Sequence, residues 1–589
     1  MNPETRVCQN CKQNFTIERE DFAFYERIKV PPPTFCPECR LIRRMTIRNE
    51  RSLYRRRCDL CGKESIGMYS PDKSFTVYCR SCWLGDGWSP IDYWRDYNFA
   101  KTFFVQFQEL MRAVPRISLV HYNANTGVDF ANFVADNKNV YLAYSIVESE
   151  NVRYSYALDN SKDCSDSLFL KNSELCYENT DGSKNYNCRY FFRSRDCMNS
   201  VFLFDCVNCQ NCFMSSNLRN KQFVFRNQQL SKEDYEKSIA EIEFERWSTI
   251  SILREEFAGI IRDSLHKFAN MIKAVNSFGE NINNVKNVSY SFNVYDSEGA
   301  KYAARCFDLK DSYDIYGALG ELVYEGTVTG WNTFKIAFFD FASGTNDSQY
   351  TDWCHDSSHL FACVGLKNKQ YCILNKQYTK EEYEELVPKI IKHMNDMPYV
   401  DKKGRVYRYG EFFPTELSPF AYNETIAQEY FPLTKEEAER WGYGWKDSDT
   451  HGYKVTLKSS DLPDHIKEAE DAIVNEVIEC VHNEACNEQC TQAFRIIPEE
   501  LAFYRKMNLP LPRLCPNCRH YERLAQRNPL KFWHRKCQCA GTKSENGAYK
   551  NTVAHQHGAG HCSNEFETSY APDRKEIVYC ESCYNAEVV

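Results

Sequence analysis

The feature that most limits what this chain can fold into is a period of 12 residues. Asn139-Val140, Asn151-Val152, Asp163-Cys164, Leu175-Cys176 and Asn187-Cys188 recur at that spacing, near short strand-like runs at Tyr141–Ser145, Arg153–Tyr156, Leu168–Leu170 and Arg189–Phe192. A short fixed period marks stacked units, none of which can bury a core alone. A second copy follows at an offset of 148: Asn287-Val288, Ser297-Glu298, Tyr302, Lys310-Asp311 and Asp314 match Asn139-Val140, Ser149-Glu150, Tyr154, Lys162-Asp163 and Asp166. Both end alike, Asn220-Lys221-Gln222 through Tyr235 against Asn368-Lys369-Gln370 through Tyr383. The pattern predicts a mainly β chain with two tandem β-solenoid-like segments and helical insertions. Alternation along each strand sends Val140, Val152, Cys164, Cys176 and Cys188 inward as one column of small residues. The Asn or Asp before that column suits a turn, where it bonds to neighbouring backbone.

Cysteine content is the second constraint. The chain has 29 cysteines in 589 residues. Its first residues lack the apolar core of a signal peptide, and no apolar run approaches the ~18–20 residues of a membrane span. A cytoplasmic setting without membrane contact is therefore expected, and there metal ligation or burial accounts for cysteine better than disulfides do. A formal charge of −8 and pI near 6 exclude a chain that is basic overall, so any nucleic-acid surface must be local.

Cys8-x-x-Cys11 with Cys36-x-x-Cys39, and Cys58-x-x-Cys61 with Cys79-x-x-Cys82, have metal-ligand spacing. Four thiolates suit tetrahedral zinc, and a two-residue gap lets a tight turn aim both sulfurs at one ion. Such closed sites leave no position for water, so structural ions are expected; redox chemistry is the weaker alternative, because redox CxxC motifs seldom come four in a row. Cys8-Gln-Asn-Cys11, Phe15, Phe24-Tyr25, Pro33 and Cys36-Pro-Glu-Cys39-Arg40 resemble the small bacterial "probable zinc-ribbon" domain. That resemblance implies zinc binding and brings no activity with it.

The carboxy-terminal end repeats this module. Cys490, Phe494, Phe503-Tyr504, Pro512 and Cys515-Pro-Asn-Cys518-Arg519 follow the first ribbon, while Arg535-Lys-Cys537, Tyr570-Ala-Pro572-Asp573 and Val578-Tyr579-Cys580-Glu-Ser-Cys583 follow the second. The expected ligand sets are Cys486, Cys490, Cys515, Cys518 and Cys537, Cys539, Cys580, Cys583, which with the first module makes about four zinc ions. Two departures leave alternatives. The residue pairing with Cys490 lies four positions back, so Cys480 or His482 could replace Cys486. The last site begins Cys-x-Cys and carries an insertion with His555, His557, His561 and Cys562, which could lend a ligand or hold a further ion. The order ribbon pair, repeat region, ribbon pair is similar to that of large bacterial zinc-ribbon/β-solenoid proteins, a resemblance that carries no function across.

Between the first two sites, residues 40–57 hold eight arginines in 18 positions, with Tyr54 among them. Guanidinium forks match phosphate oxygens and stack on bases, making this the best nucleic-acid candidate in the chain. Arg43, Arg44, Arg48, Arg51, Arg55, Arg56 and Arg57 would contact phosphates, with Tyr54 available for stacking. A solvated basic face, an acidic protein partner, or pairing with acids of the repeat are the competing readings.

Other patterns are blander. Cys206-x-x-Cys209-x-x-Cys212 is like part of an iron–sulfur run, yet the second copy keeps only Cys354, with Ser357 and Leu360 at the other positions, so a buried ladder is preferred. Phe103, Phe104, Phe107, Leu110 and Met111 predict a helix capping the first copy. Ser231 and Thr379 open helices; the first is expected to run long, its stripe from Ile239 to Phe268 packing on the repeat. Thr434–Trp441, closed by Gly442, and the acidic Asp464–Val477 are also expected to be helical. The implied divisions are 1–97, 98–277, 278–395, 396–480 and 481–589.

No phosphate loop, GxGxxG, HExxH or GxSxG motif occurs. The reading is a non-catalytic zinc-binding scaffold that binds RNA or DNA through its ribbons and the Arg-rich segment. A protein-interaction scaffold using the solenoid faces and the 231–272 helix is the alternative. A solenoid-groove hydrolase using acids such as Asp163 and Asp166, repeated as Asp311 and Asp314, is a third, although turn-forming Asp explains them more simply.

Overall fold

The computed structural model describes residues 2–447, 454–483, 485–486 and 488–589. The chain is mainly β, dominated by two curled sheets of 16 and 12 strands whose pairings are parallel except at their last hairpins. In the first sheet, Val140 pairs with Val152, Val152 with Cys164, Cys164 with Cys176 and Cys176 with Cys188. All five are fully buried. A second line of strands, which includes the expected run Leu168–Leu170, lies between them: Ile146 pairs with Leu158 and Leu158 with Leu170. In the second sheet the 12-residue register shortens to 11 at Tyr313↔Tyr324 and recovers with 13 at Val323↔Ile336.

The asparagines do something other than bond to nearby backbone. Asn139, Asn151 and Asp163 have φ of 56°, 55° and 51°. Asn and Asp tolerate that left-handed conformation best among residues with a side chain. Their side chains then bond to one another, Asn139 Nδ2 to Asn151 Oδ1 at 3.0 Å and Asn151 Nδ2 to Asp163 Oδ1 at 2.7 Å. Buried serines hold the backbone: the N–H of Ser161 donates to Ser149 Oγ, and that of Ser173 to Ser161 Oγ. Cysteine fills equivalent positions as a small apolar residue with a weak donor, as when Cys164 Sγ donates to the Lys162 carbonyl.

The described residues form two compact units, each discontinuous in sequence. One contains residues 2–120 and 269–447; the other contains 121–268 and the described part of 448–589. The amino-terminal module thus belongs with the second sheet, and the carboxy-terminal module with the first. The helix Phe103–Ala113, expected to cap the first copy, packs on the second sheet, with Phe103 against Tyr350 and Phe361. Its counterpart Trp247–Asp263 covers the first sheet, where Phe257 meets Phe202.

Three further expectations are corrected. The long helix after Ser231 is two, Lys232–Ala240 and Trp247–Asp263, with Phe244 buried at the break. Leu265 lies beyond the second, in a strand Leu265–Lys267 parallel to Ile577–Tyr579. Asp464–Val477 forms only short 3-10 turns, Ile466–Glu468 and Asp471–Asn475, because its acids leave too few apolar positions for a stripe. The helix Lys435–Trp441 ends as expected at Gly442, φ 86°. Among the described residues no helix is long and apolar enough to cross a membrane.

Candidate metal centres

Four groups of four cysteines bring their sulfurs within 4.8 Å of one another: Cys8, Cys11, Cys36, Cys39; Cys58, Cys61, Cys79, Cys82; Cys480, Cys490, Cys515, Cys518; and Cys537, Cys562, Cys580, Cys583. All of these cysteines are free of disulfides. Sulfurs 2.3 Å from a tetrahedral ion sit about 3.8 Å apart. Neighbouring pairs here match that edge: Cys11–Cys36 3.7 Å, Cys61–Cys79 3.9 Å, Cys480–Cys518 3.9 Å and Cys562–Cys580 3.9 Å. The residues present therefore fit a thiophilic cation in each group.

The same local architecture builds each group. The third ligand caps a helix and the fourth lies within its first turn: Pro37–Met45 follows Cys36, Arg80–Leu84 follows Cys79, Pro516–Ala525 follows Cys515, and Glu581–Val588 follows Cys580. The backbone N–H of that third ligand donates to the sulfur of the first at 3.2 Å in every case: Cys36 to Cys8, Cys79 to Cys58, Cys515 to Cys480, Cys580 to Cys537. The N–H of the first ligand donates to the carbonyl two residues past the second: Gln13, Lys63, Gln492 and Asn564 respectively.

These bonds show which sulfurs join each group where spacing left the set ambiguous. Cys480 stands where Cys8 and Cys58 stand, so it takes the position expected for Cys486. Cys486 remains close, its sulfur 3.8 Å from Cys518. Cys562 stands where Cys11 and Cys61 stand, at the far end of the insertion, and takes the position expected for Cys539. A long excursion can be inserted at the tip of a hairpin without moving its base, which is why the CxxC signal vanished while the site persisted.

Each group holds at least one sulfur toward the thiolate. Hydrogen bonds from the side chains of Cys36 and Cys39 pull Cys8 well below the usual thiol range. Cys480 and Cys518 do the same for Cys515, and Cys537 brings Cys580 down to about 3. At Cys79 burial acts upward, but the Ser81 hydroxyl and neighbouring backbone bring it down to about 6. Cys515 in turn pushes Cys480 up to about 12, so the sulfurs of a group divide between thiolate and thiol, and a bound cation would draw all four to the thiolate.

The arginines of residues 40–57 are placed quite differently from a phosphate-binding face. Arg43, Arg44 and Arg48 are buried, 2%, 0% and 5% exposed. Arg43 bridges Glu325 and Glu411 at 3.2 and 3.1 Å, and Arg44 bridges Asp314 and Glu325 at 3.2 and 3.1 Å. Arg40 adds a two-pronged bond to Asp314 at 2.8 and 3.0 Å. Arg48 pairs with Glu50, Arg51 with Glu429 and Arg56 with Asp59. The Tyr54 hydroxyl donates to Glu424 at 2.8 Å. Only Arg55 and Arg57 of this group are exposed. A buried fork already matched to carboxylates has no face for phosphate, so five of the seven arginines, Arg43, Arg44, Arg48, Arg51 and Arg56, serve internal pairing instead.

The carboxy-terminal module repeats this clamp on the first sheet. Arg519 and Arg523 bind Asp166 at 2.6 and 2.8 Å, as Arg40 and Arg44 bind Asp314. Arg519 lies over the Tyr154 ring at 4.5 Å and Arg40 over the Tyr302 ring at 5.3 Å. Lys506 pairs with Asp163 and Arg27 with Asp311. The acids considered for hydrolysis are thus clamp residues. The signal was present in the sequence, since Arg40 recurs as Arg519 and Asp166 as Asp314. No protein-family model matches the chain, and no curated protein matches it.

Proposed function

We propose that this chain is a non-catalytic scaffold in which zinc ions lock two ribbon modules, each clamped on a β-solenoid, and that the solenoid faces dock a protein partner. The observation that carries this reading is the buried Arg–carboxylate clamp, formed twice with the same residue types. It assigns the charge of the ribbons to internal cohesion, where breaking a buried pair costs about 3–5 kcal/mol. Zinc is favoured as the ion because four-thiolate tetrahedral groups select it, and a closed set leaves no position for substrate. Beside the second sheet, Trp331, in the turn after strand Gly320–Thr329, and Phe307, the last residue of strand Ala304–Phe307, are 64% and 45% exposed with ring centres 6.1 Å apart. Exposed aromatic pairs of this kind are typical anchors of protein interfaces.

The exposed Arg55 and Arg57 support a narrower nucleic-acid reading, in which one strand of the second ribbon touches phosphate. The two readings separate cleanly. Purified full-length chain is assayed by elemental analysis, by mobility shift with RNA and DNA at low salt, and for a stoichiometric protein partner that survives nuclease. The scaffold reading expects about four or more zinc ions and a partner lost on Trp331→Ala. Low-salt nucleic-acid binding abolished by replacing Arg55 and Arg57 would transfer the function to the ribbon. A folded chain without metal would overturn both.

A further inference from the structure

The insertion in the last ribbon gathers donors that the four-cysteine groups do not use. Cys539, His555 and His557 come together with Cys583, all four donor atoms within 4.8 Å of one another. We propose that Cys583 bridges two metal ions: one held with Cys537, Cys562 and Cys580, the other with Cys539, His555 and His557. This inference rests on the zinc reading above and adds a fifth ion to it.

Distances and second contacts carry the proposal. A sulfur and an imidazole nitrogen on one tetrahedral zinc lie about 3.6 Å apart. His555 Nδ1 is 3.7 Å from Cys539 Sγ, and His557 Nε2 is 3.4 Å from Cys583 Sγ. Each ring is also held at its other nitrogen. His555 Nε2 meets Glu587 Oε1 at 2.9 Å, a contact in which both side chains are at most 1% exposed. Glu587 is itself fixed by the backbone N–H and hydroxyl of Thr552, both at 2.8 Å. His557 Nδ1 meets the Gly560 carbonyl at 2.9 Å. When the outer nitrogen donates its proton to an oxygen, the inner nitrogen presents its lone pair, the arrangement that metal-bound histidines adopt. The Asn551 amide donates to Cys539 Sγ at 3.2 Å, which fixes that sulfur's position.

Ligand count favours the bridge as well. Five sulfur ligands shared between two dications need one sulfur fewer than two separate sites would. Two thiolates and two imidazoles suit a tetrahedral, borderline-soft ion such as zinc or cobalt(II). His561 is exposed and takes no part. In the amino-terminal module the equivalent turn, Cys58 to Cys61, has no room for such a set.

The test loads the full chain with zinc and, separately, with cobalt(II). Wild type is expected to retain about five ions, and the His555→Gln, His557→Gln double variant about four. Cobalt pairs sharing a sulfur couple magnetically, so wild type should show fewer paramagnetic spins than bound ions, and the double variant should restore parity. Glu587→Gln is expected to weaken retention of one ion about 10–100-fold in chelator competition. Four ions in wild type, unchanged by the double variant, would overturn the bridge while leaving the four-site reading intact. No bound metal at all would instead overturn the zinc reading itself.

Discussion

The clamp on the second sheet and the clamp on the first use one plan with different finishing parts. Both centre on a buried aspartate, Asp314 or Asp166, gripped by two arginines one helical turn apart and roofed by a tyrosine ring. Beyond that centre they diverge. The second sheet presents Glu325 to Arg43, on the ribbon helix itself. The first presents Glu178 to Arg254, on the covering helix Trp247–Asp263, while Glu522 takes the place of Arg43. The common part is thus the aspartate with its arginine pair, and the outer cation can come from any element within reach. Further along, the second sheet stacks Asp340 on Asp352 where the first stacks Phe192 on Phe204.

Removing a metal site should have the largest effect. Cys480→Ser should cost one ion and most of the stability of the third ribbon, on the scale of the roughly 10 kcal/mol that a structural zinc site supplies. Cys486→Ser should keep the ion. Elemental analysis with thermal melts distinguishes them, and equal loss in both variants would contradict the assignment of Cys480.

Next come the centres. Asp314→Ala and Asp166→Ala each take the shared carboxylate from two buried guanidinium groups and should destabilise their own unit by about 3–5 kcal/mol. Two melting transitions, each shifting with only one variant, are the expected outcome. The finishing cations matter less: Arg43→Met or Arg254→Met should cost about 1–3 kcal/mol, as when one partner of a buried charged hydrogen bond is lost. A loss as large as at the aspartates would erase the distinction between centre and periphery.

The smallest effect is in pH. Burial, then the adjacent Asp352 carboxylate, pushes Asp340 up to about 7. The folded state therefore holds a proton that the unfolded chain releases. This contribution is complete below the ordinary carboxyl range and is lost as pH rises toward 7. Urea midpoints of the unit containing the second sheet should fall over that window, and Asp340→Asn should flatten the slope. The other unit, with phenylalanines at these positions, should show no such change on that substitution.

Much of this was legible in the sequence. The period fixed the register of Val140 through Cys188, because a one-residue slip would turn every column inside out. CxxC spacing located the first eight clustered cysteines. Legibility ended where the duplication made the code degenerate. Arg40 fits Asp166 as well as it fits Asp314, so nothing local says which ribbon meets which sheet, and the crossed pairing emerges only in three dimensions. The arginine run misled for the same reason: its charge was plain, but burial depends on the partner. Cys562 was obscured by an insertion that lengthens a hairpin without moving its base.

Hydrogen exchange on full-length Cys36→Ser tests the central claim most directly. Losing the first ribbon's ion should release the clamp on Asp314, so amides of 279–364 should lose protection while those of 138–225 keep theirs. Loss confined to 138–225, or none in either sheet, would contradict the crossed, metal-held architecture.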